Sequence, residues 1–576
     1  MSQPPPPPSQ PPNQPPSGGF GPPQDPPPGG FGAPTPPPQT PSYGYPQTPP
    51  QGYGYPAQPP YPQQPYPQQQ YQQQSYPYPP QQYPQAPQPP QAPKKSNTQL
   101  QIIIAAAVAV VLIIGTGLYF ANSGGSDGKK NEAKNSSSGS TDGAKDSGGN
   151  GISGGGKEKA PANTRSKVAF QVPLPKVDDI TGVYGSWVTD TTYVKTGISE
   201  VVGYDRDKGT QLWSIPLDGQ VCAYSRHMTE DYKTAISYEV SKRTADNPYP
   251  RCSKIAAIDL ESGKVLWDKS VKGSNAGDRD VAFSEITLSG TTVAGAGYDG
   301  GAAFDVNTGA VRWKPEVSSD GCYDTGYGGG AALVAVRKCG TADDPQLTVQ
   351  TLNPATGAPI SAYTMPSGVD YPHIVSTQPL VVAADVGDTA GDGSGISDFF
   401  SIDAKTGKLL AKISAAGKFA ARCGSTDVEK CTHIVVGNGR IYLPTGEHEG
   451  EAEYGRTNEI VSFDLATGKS TTDRAEAGER YQMFPLRMDG TDIIAYKIAP
   501  YDKGGRIVSL NGSTFKETVL MENPSDKAVR DAESGYAWDT AELLYEDGRM
   551  YVAPPALSKP SPYQTQRYLV IAFTTK

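Results

Sequence analysis

The ten-residue phrase apolar-Asp-x-x-x-Gly-x-x-x-Trp recurs along the second two-thirds of this chain. It reads YDRDKGTQLW at 204–213, IDLESGKVLW at 258–267 and FDVNTGAVRW at 304–313. It then decays through LNPATGAPIS (352–361), IDAKTGKLLA (402–411) and FDLATGKSTT (463–472) to LNGSTFKETV (510–519). A spacing of about 45–60 residues marks a repeat array or a propeller. An alternating apolar run precedes each Asp and another follows each Gly, so the phrase is the tight turn of a β-hairpin. Gly209, Gly263, Gly309, Gly357, Gly407 and Gly468 supply a positive φ that residues with a Cβ resist. Phe515 stands at that position in the seventh copy, and its turn is expected to differ.

Two more short apolar runs lie upstream of each hairpin, at 183–188 and 193–196 in the first repeat. Four antiparallel strands per repeat, A to D, make the blade of a β-propeller. The phrase is the C–D turn, and its Trp falls on strand D, where the ring packs against the neighbouring blade. Seven such turns are visible. An eighth strand C is YLVIAFT (568–574), after which the chain ends without a strand D. VAFQVPL (168–174) reads like the first D strand, QLWSIPL (211–217), and is expected to complete the last blade and close the ring. The fold class is therefore all-β, an eight-bladed propeller; seven blades with an accessory strand is the competing count.

Composition confines that fold to 166–576. Residues 1–95 are almost entirely Pro, Gln, Gly, Tyr and Ser, too poor in apolar side chains to offset the entropy of ordering. Residues 102–121 are an uninterrupted apolar run long enough to span a bilayer, and a transmembrane helix is placed at 100–121. It lies too far from the N-terminus for a signal peptide. Residues 122–165 have the Gly/Ser composition of a flexible linker. Lysines flank the apolar run on both sides, so the positive-inside rule is silent. Orientation rests on the cysteines: all six (Cys222, Cys252, Cys322, Cys339, Cys423, Cys431) follow the run, and none forms a Cys-x-x-Cys pair. An even set of this kind fits a disulfide-bonded exported domain. This places the tail in the cytoplasm and the propeller outside, at the cell membrane. The chain carries a net −9, of which the repeats hold about −12, a balance that disfavours nucleic acid.

The repeated phrase resembles that of the pyrroloquinoline-quinone-like β-propellers, which include quinoprotein dehydrogenases and a lipoprotein that helps assemble outer-membrane barrels. The layout also resembles membrane-anchored propeller proteins of actinobacteria with a Pro/Gln-rich cytoplasmic tail. The resemblance implies the fold, and for activity it implies either a binding module or an exported quinoprotein-like oxidoreductase with a site on the propeller axis. The quinoproteins use a quinone, a calcium ion and often a disulfide between adjacent cysteines; no two cysteines are adjacent here. The tryptophans occupy the packing position of the repeat. No Gly-x-Ser-x-Gly elbow and no His-Glu-x-x-His is present. No catalytic residue and no cofactor are assigned, and the expected role is non-catalytic, binding an envelope protein or a small ligand. The Pro-x-x-Pro spacings of the tail suit a cytoplasmic partner with an aromatic groove.

Asp385, Asp388 and Asp392, in a glycine-rich loop, are the weak calcium candidates, although their spacing is not that of an EF-hand. The tether enters the ring at the start of a D strand, which turns the C–D hairpins toward the membrane. Long inserts at 240–252, 385–398, 444–459 and 554–567 all fall on the opposite face, which carries the B–C and D–A connections. That face is the expected recognition surface, with Asp388, Asp392, Glu447 and Glu451 as contacts. The expected disulfides, Cys222–Cys252, Cys322–Cys339 and Cys423–Cys431, each join positions close within one blade or loop.

Overall fold

The computed structural model describes residues 158–576 except 315, 317–320, 342–344, 391–394, 416–417, 452–453 and 561–567. The tail, the apolar run and most of the linker lie outside the described residues. No helix among the described residues is long and apolar enough to cross a membrane.

Eight four-stranded antiparallel sheets follow one another in chain order. They occupy 186–216, 221–269, 285–313, 323–364, 373–414, 435–476, 482–522 and 542–574, and are numbered blades 1 to 8. Blade 8 takes its strand D from the other end of the domain: Lys167–Pro173 pairs antiparallel with Tyr568–Thr574. Eight hydrophobic clusters hold the ring, one at each seam between consecutive blades, the last joining blade 8 to blade 1. A core divided into eight seams, with the eighth closing on the first, excludes the seven-bladed count.

The repeated phrase builds the three seams from blade 1 to blade 4 in the same way. In the C–D turns the Asp carboxylate accepts two backbone N–H bonds, as Asp259 Oδ1 does from Glu261 and Ser262 at 3.0 Å. The Gly N–H then returns to the Asp carbonyl, 2.9 Å at Gly263. Gly263 has φ 65°, and a Cβ there would lie 2.3 Å from the ring of Trp213 on blade 1. Gly309 meets Trp267 in the same manner. The glycine thus serves two ends, a left-handed turn and a seat for the preceding blade's Trp.

The seventh turn does not differ from the others. Phe515 takes φ 56° and donates its N–H to the Asn511 carbonyl at 2.8 Å. Its ring is buried against Tyr442, 6.0 Å between centroids, and that burial offsets the cost of a left-handed residue with a side chain.

The docked chain begins ahead of strand D of blade 8. Glu158 receives Arg487 Nη2 at 2.6 Å and the Asp547 N–H at 3.0 Å, on the A–B turns of blades 7 and 8. Ser166 N–H then reaches the Glu522 carbonyl at 2.9 Å. This part of the expected linker is fixed to the ring.

Candidate functional site

Strand A of every blade faces the axis, and the axis is not empty. The connection from blade 5 to blade 6 carries the Cys423–Cys431 disulfide, and the loop it closes enters the ring as a plug. The tip is tied to four blades. Glu429 accepts from Thr287 at 2.5 Å and the Gly329 N–H at 2.9 Å, and pairs with His227 Nε2 at 2.8 Å. Glu285 accepts the Val428 N–H at 2.7 Å. Ile374 N–H reaches the Val428 carbonyl at 2.7 Å, and His373 Nδ1 lies 2.6 Å from the Asp427 carbonyl. Burial raises the Glu429 carboxyl, but His227, Thr287 and Gly329 together outweigh it and hold the group below its ordinary value. Burial and the Asp427 charge push Glu285 up to about 8. Burial lowers His373 and His433.

Beside the plug lies a chamber of about 620 Å³, walled by blades 1, 2, 5, 6, 7 and 8. Trp538 and Tyr184 line it, with Arg226, Arg422, Lys430, Asp427, Asp539 and Glu542 as its charged groups. His433 stacks on Phe484 at 3.9 Å on its wall. Behind the wall, Lys195 is fully buried; its Nζ meets Glu542 Oε2 at 2.7 Å and the Val183 carbonyl. Burial lowers the Lys195 ammonium, and Glu542 opposes that shift. Glu542 also accepts the Gly185 N–H at 2.7 Å and the Ser186 hydroxyl.

The pH dependence of the plug follows. Glu285 titrates near 8 when folded and near 4.5 when unfolded, so between these values the folded state holds the extra proton. Stability is then fully present below 4.5 and is lost as pH rises through 8. Glu546, pushed up to about 7 chiefly by burial, has the same sign. The two lowered histidines act the other way only below about 6.5. The melting temperature is therefore expected to fall from pH 6.5 to 8, with Glu285 contributing at most about 1.4 kcal/mol per pH unit. Thermal melts of Glu285→Gln across that range should give a flatter slope; an unchanged slope would remove Glu285 from the effect.

All three disulfides join the expected pairs. Cys222 lies within strand A of blade 2, and Cys423–Cys431 clamps the base of the axial plug. The acidic residues singled out from the sequence do not line the chamber. Asp385 accepts N–H bonds from Thr389 at 2.9 Å and Ala390 at 3.1 Å, closing its own loop. Asp388 sits at an exposed left-handed turn, and Asp392 lies outside the described residues. Glu447 pairs with Arg456 at 3.6 Å, across the ribbon His448–Glu449 and Arg456–Thr457; Glu451 is exposed at its tip. No cluster of three metal-ligating side chains occurs among the described residues.

The two faces of the ring differ. Five tyrosines among the described residues are exposed: Tyr249, Tyr298, Tyr371, Tyr454 and Tyr501, at 48–82%. All five lie in B–C or D–A connections. The A–B and C–D turns, by contrast, display Asp, Asn, Thr, Lys and Gly.

A closed ring of eight such blades defines a β-propeller of the pyrroloquinoline-quinone-like repeat type. The chain belongs to the family described as outer membrane protein assembly factor BamB, whose model matches residues 163–321 and 251–497. No curated protein matches the chain. BamB from Moraxella catarrhalis is similar in structure, at 12% identity over 71% of this chain and 99% of that one, with a TM-score of 0.36. Dihydro-heme d1 dehydrogenase NirN in complex with DHE gives 12%, 63%, 76% and 0.37 in the same order. The WD40 domain of SCAP from fission yeast gives 10%, 71%, 98% and 0.37. These likenesses carry no argument about function.

Proposed function

We propose that this chain is a non-catalytic binding module of the cell envelope, anchored by a single helix at 100–121. In this reading the tail of 1–95 lies in the cytoplasm and the propeller lies outside, where its B–C face captures a protein partner. The observation that carries the proposal is the confinement of the exposed tyrosines to that face. Tyrosine supplies a large contact area at low entropic cost, and aromatic residues are enriched where proteins meet. The name of the family, an assembly factor, supports a protein partner. Three disulfides suit an oxidising compartment. Glu158 docks on the A–B turns, so the chain leading from the anchor arrives at the opposite face. Binding is favoured over catalysis because the carboxylates and histidines of the plug are engaged in holding it.

The test is photo-crosslinking of the full-length protein in its own membranes. A photoreactive residue at 298 or 501 should capture a discrete protein, whereas one at 308 or 438, on the opposite turns, should not. Replacing Asp388, Asp392, Glu447 and Glu451 with Ser is expected to cut capture at least tenfold with an unchanged melting curve. Equal capture from both faces would overturn the assignment of the face.

A further inference from the structure

The axial chamber differs in charge from the domain around it. The repeats carry a net charge of about −12. Within the chamber wall, Glu542 is neutralised by Lys195 at 2.7 Å, and Asp427 lies 3.7 Å from Lys430. This leaves Arg226 and Arg422 against the single carboxylate of Asp539. Neither arginine forms an ion pair with a carboxylate among the described residues. Arg226 spends one Nη1 bond, 2.9 Å, on the Cys431 carbonyl and another N–H on the Tyr224 hydroxyl, and the rest of its fork faces no carboxylate. Positive charge on a low-dielectric wall inside an acidic domain selects an anion, and the guanidinium fork suits a carboxylate.

The rest of the wall indicates what else the ligand carries. Trp538, backed by Tyr496 at 4.6 Å, and Tyr184, with Lys430 Nζ 5.2 Å from its centroid, supply ring surface. Ser425, Ser376 and Asp539 supply hydroxyl and carboxylate oxygens. A carboxylate such as Asp539 repels a purely anionic aromatic ligand but accepts hydrogen bonds from hydroxyl groups. Aromatic surface, acceptors for hydroxyls and two unpaired guanidinia together match a sugar that bears a carboxylate. About 620 Å³ falls within the range of small-molecule sites and has room for two sugar rings. The disulfide-clamped plug fixes the volume in advance, which lowers the cost of binding. Arg422, Lys430 and Asp539 are exposed as well as lining the chamber, so it opens on the B–C and D–A face.

We propose that the axial chamber binds an acidic saccharide of the hexuronate type, its carboxylate held by Arg226 and Arg422 and its ring against Trp538. The proposal rests on the reading of the chain as a binding module and adds a second, smaller ligand to it. The probes are digalacturonate, its neutral counterpart digalactose, benzoate and inorganic phosphate. Each is titrated into full-length protein in detergent micelles, followed by tryptophan fluorescence and by calorimetry. Digalacturonate is expected to bind at least tenfold more tightly than the other three. Arg226→Gln and Arg422→Gln are each expected to weaken it at least tenfold. Trp538→Phe is expected to abolish the fluorescence change while calorimetry still reports binding. Circular dichroism melts confirm that each variant is folded; Arg422, being exposed, serves if Arg226→Gln fails to fold. Equal binding of digalactose, benzoate or phosphate, no binding of digalacturonate, or no effect of Arg422→Gln would overturn the proposal. Any of these together with intact protein capture at positions 298 and 501 would leave the binding-module reading standing.

Discussion

Deleting residues 166–175 is expected to abolish cooperative melting of the propeller and to leave an aggregating species. The deletion removes the strand that pairs with Tyr568–Thr574 along its whole length. Six of those seven residues are buried, and YLVIAFT is uncharged and rich in β-branched and aromatic side chains. Stripped of its neighbour it becomes an open edge of the kind that templates association. The deletion also removes Phe170, whose ring lies 6.1 Å from Tyr551 and 6.4 Å from Tyr193 and fills the seam between blades 8 and 1. Phe170→Ala alone should cost about 3–5 kcal/mol. Calorimetry and sedimentation of the shortened protein decide the matter; a monomer with an unchanged melting temperature would mean that the ring is held without this strand.

Glu542→Ala is the point substitution expected to cost most. It strands the Lys195 ammonium, fully buried, with carbonyl oxygens as its remaining partners. Removing one member of a buried pair typically costs about 3–5 kcal/mol, because the other charge stays desolvated. It also leaves the Gly185 N–H and the Ser186 hydroxyl without their acceptor. Replacing both charges, Lys195→Met with Glu542→Gln, should recover much of the loss, since no charge is then left in the wall. Denaturant unfolding of the single and double variants gives the comparison. A Glu542→Ala protein within about 1 kcal/mol of the parent would show that water reaches Lys195.

The parts of this fold that were legible in the sequence are those written in local patterns. The Asp-x-x-x-Gly turn, the Trp four residues beyond its Gly and the resemblance of 168–174 to 211–217 made blade, count and closure readable. The disulfides were legible because each closes a short stretch of chain. What eluded the sequence depends on the ring being closed. The loop 424–430 reads as an ordinary polar connection, and only eight converging A strands turn it into a plug held by His227, Glu285 and Thr287 from remote blades. Lys195, in TYVKTG, sits where alternation would put a solvent-facing residue, yet the whole strand is buried. Strand B lies close to the axis, with neighbouring blades on both its faces, so period-two patterning loses its meaning there. Phe515 eluded it for a different reason. Sequence shows the missing glycine but not the Tyr442 ring that makes the substitution tolerable.

The strand that closes the ring is also the strand into which the N-terminal segment runs, and this sets a path for mechanical force. A pull on the chain ahead of Glu158 first strains its contacts with Arg487 and Asp547. It then passes along Lys167–Pro173, parallel to the strand axis, so the hydrogen bonds to Tyr568–Thr574 are loaded together in shear rather than peeled one by one. Beyond Pro173 the covalent chain leads to blade 1, whereas the partner strand belongs to blade 8. Yielding of this ladder would leave the seam between those blades, which both wall the axial chamber, to its remaining ties, Thr181–Gly182 on Ala556–Leu557 and Lys195 on Glu542. A pull on the N-terminal segment would therefore be borne at the seam that the two ends of the domain close together.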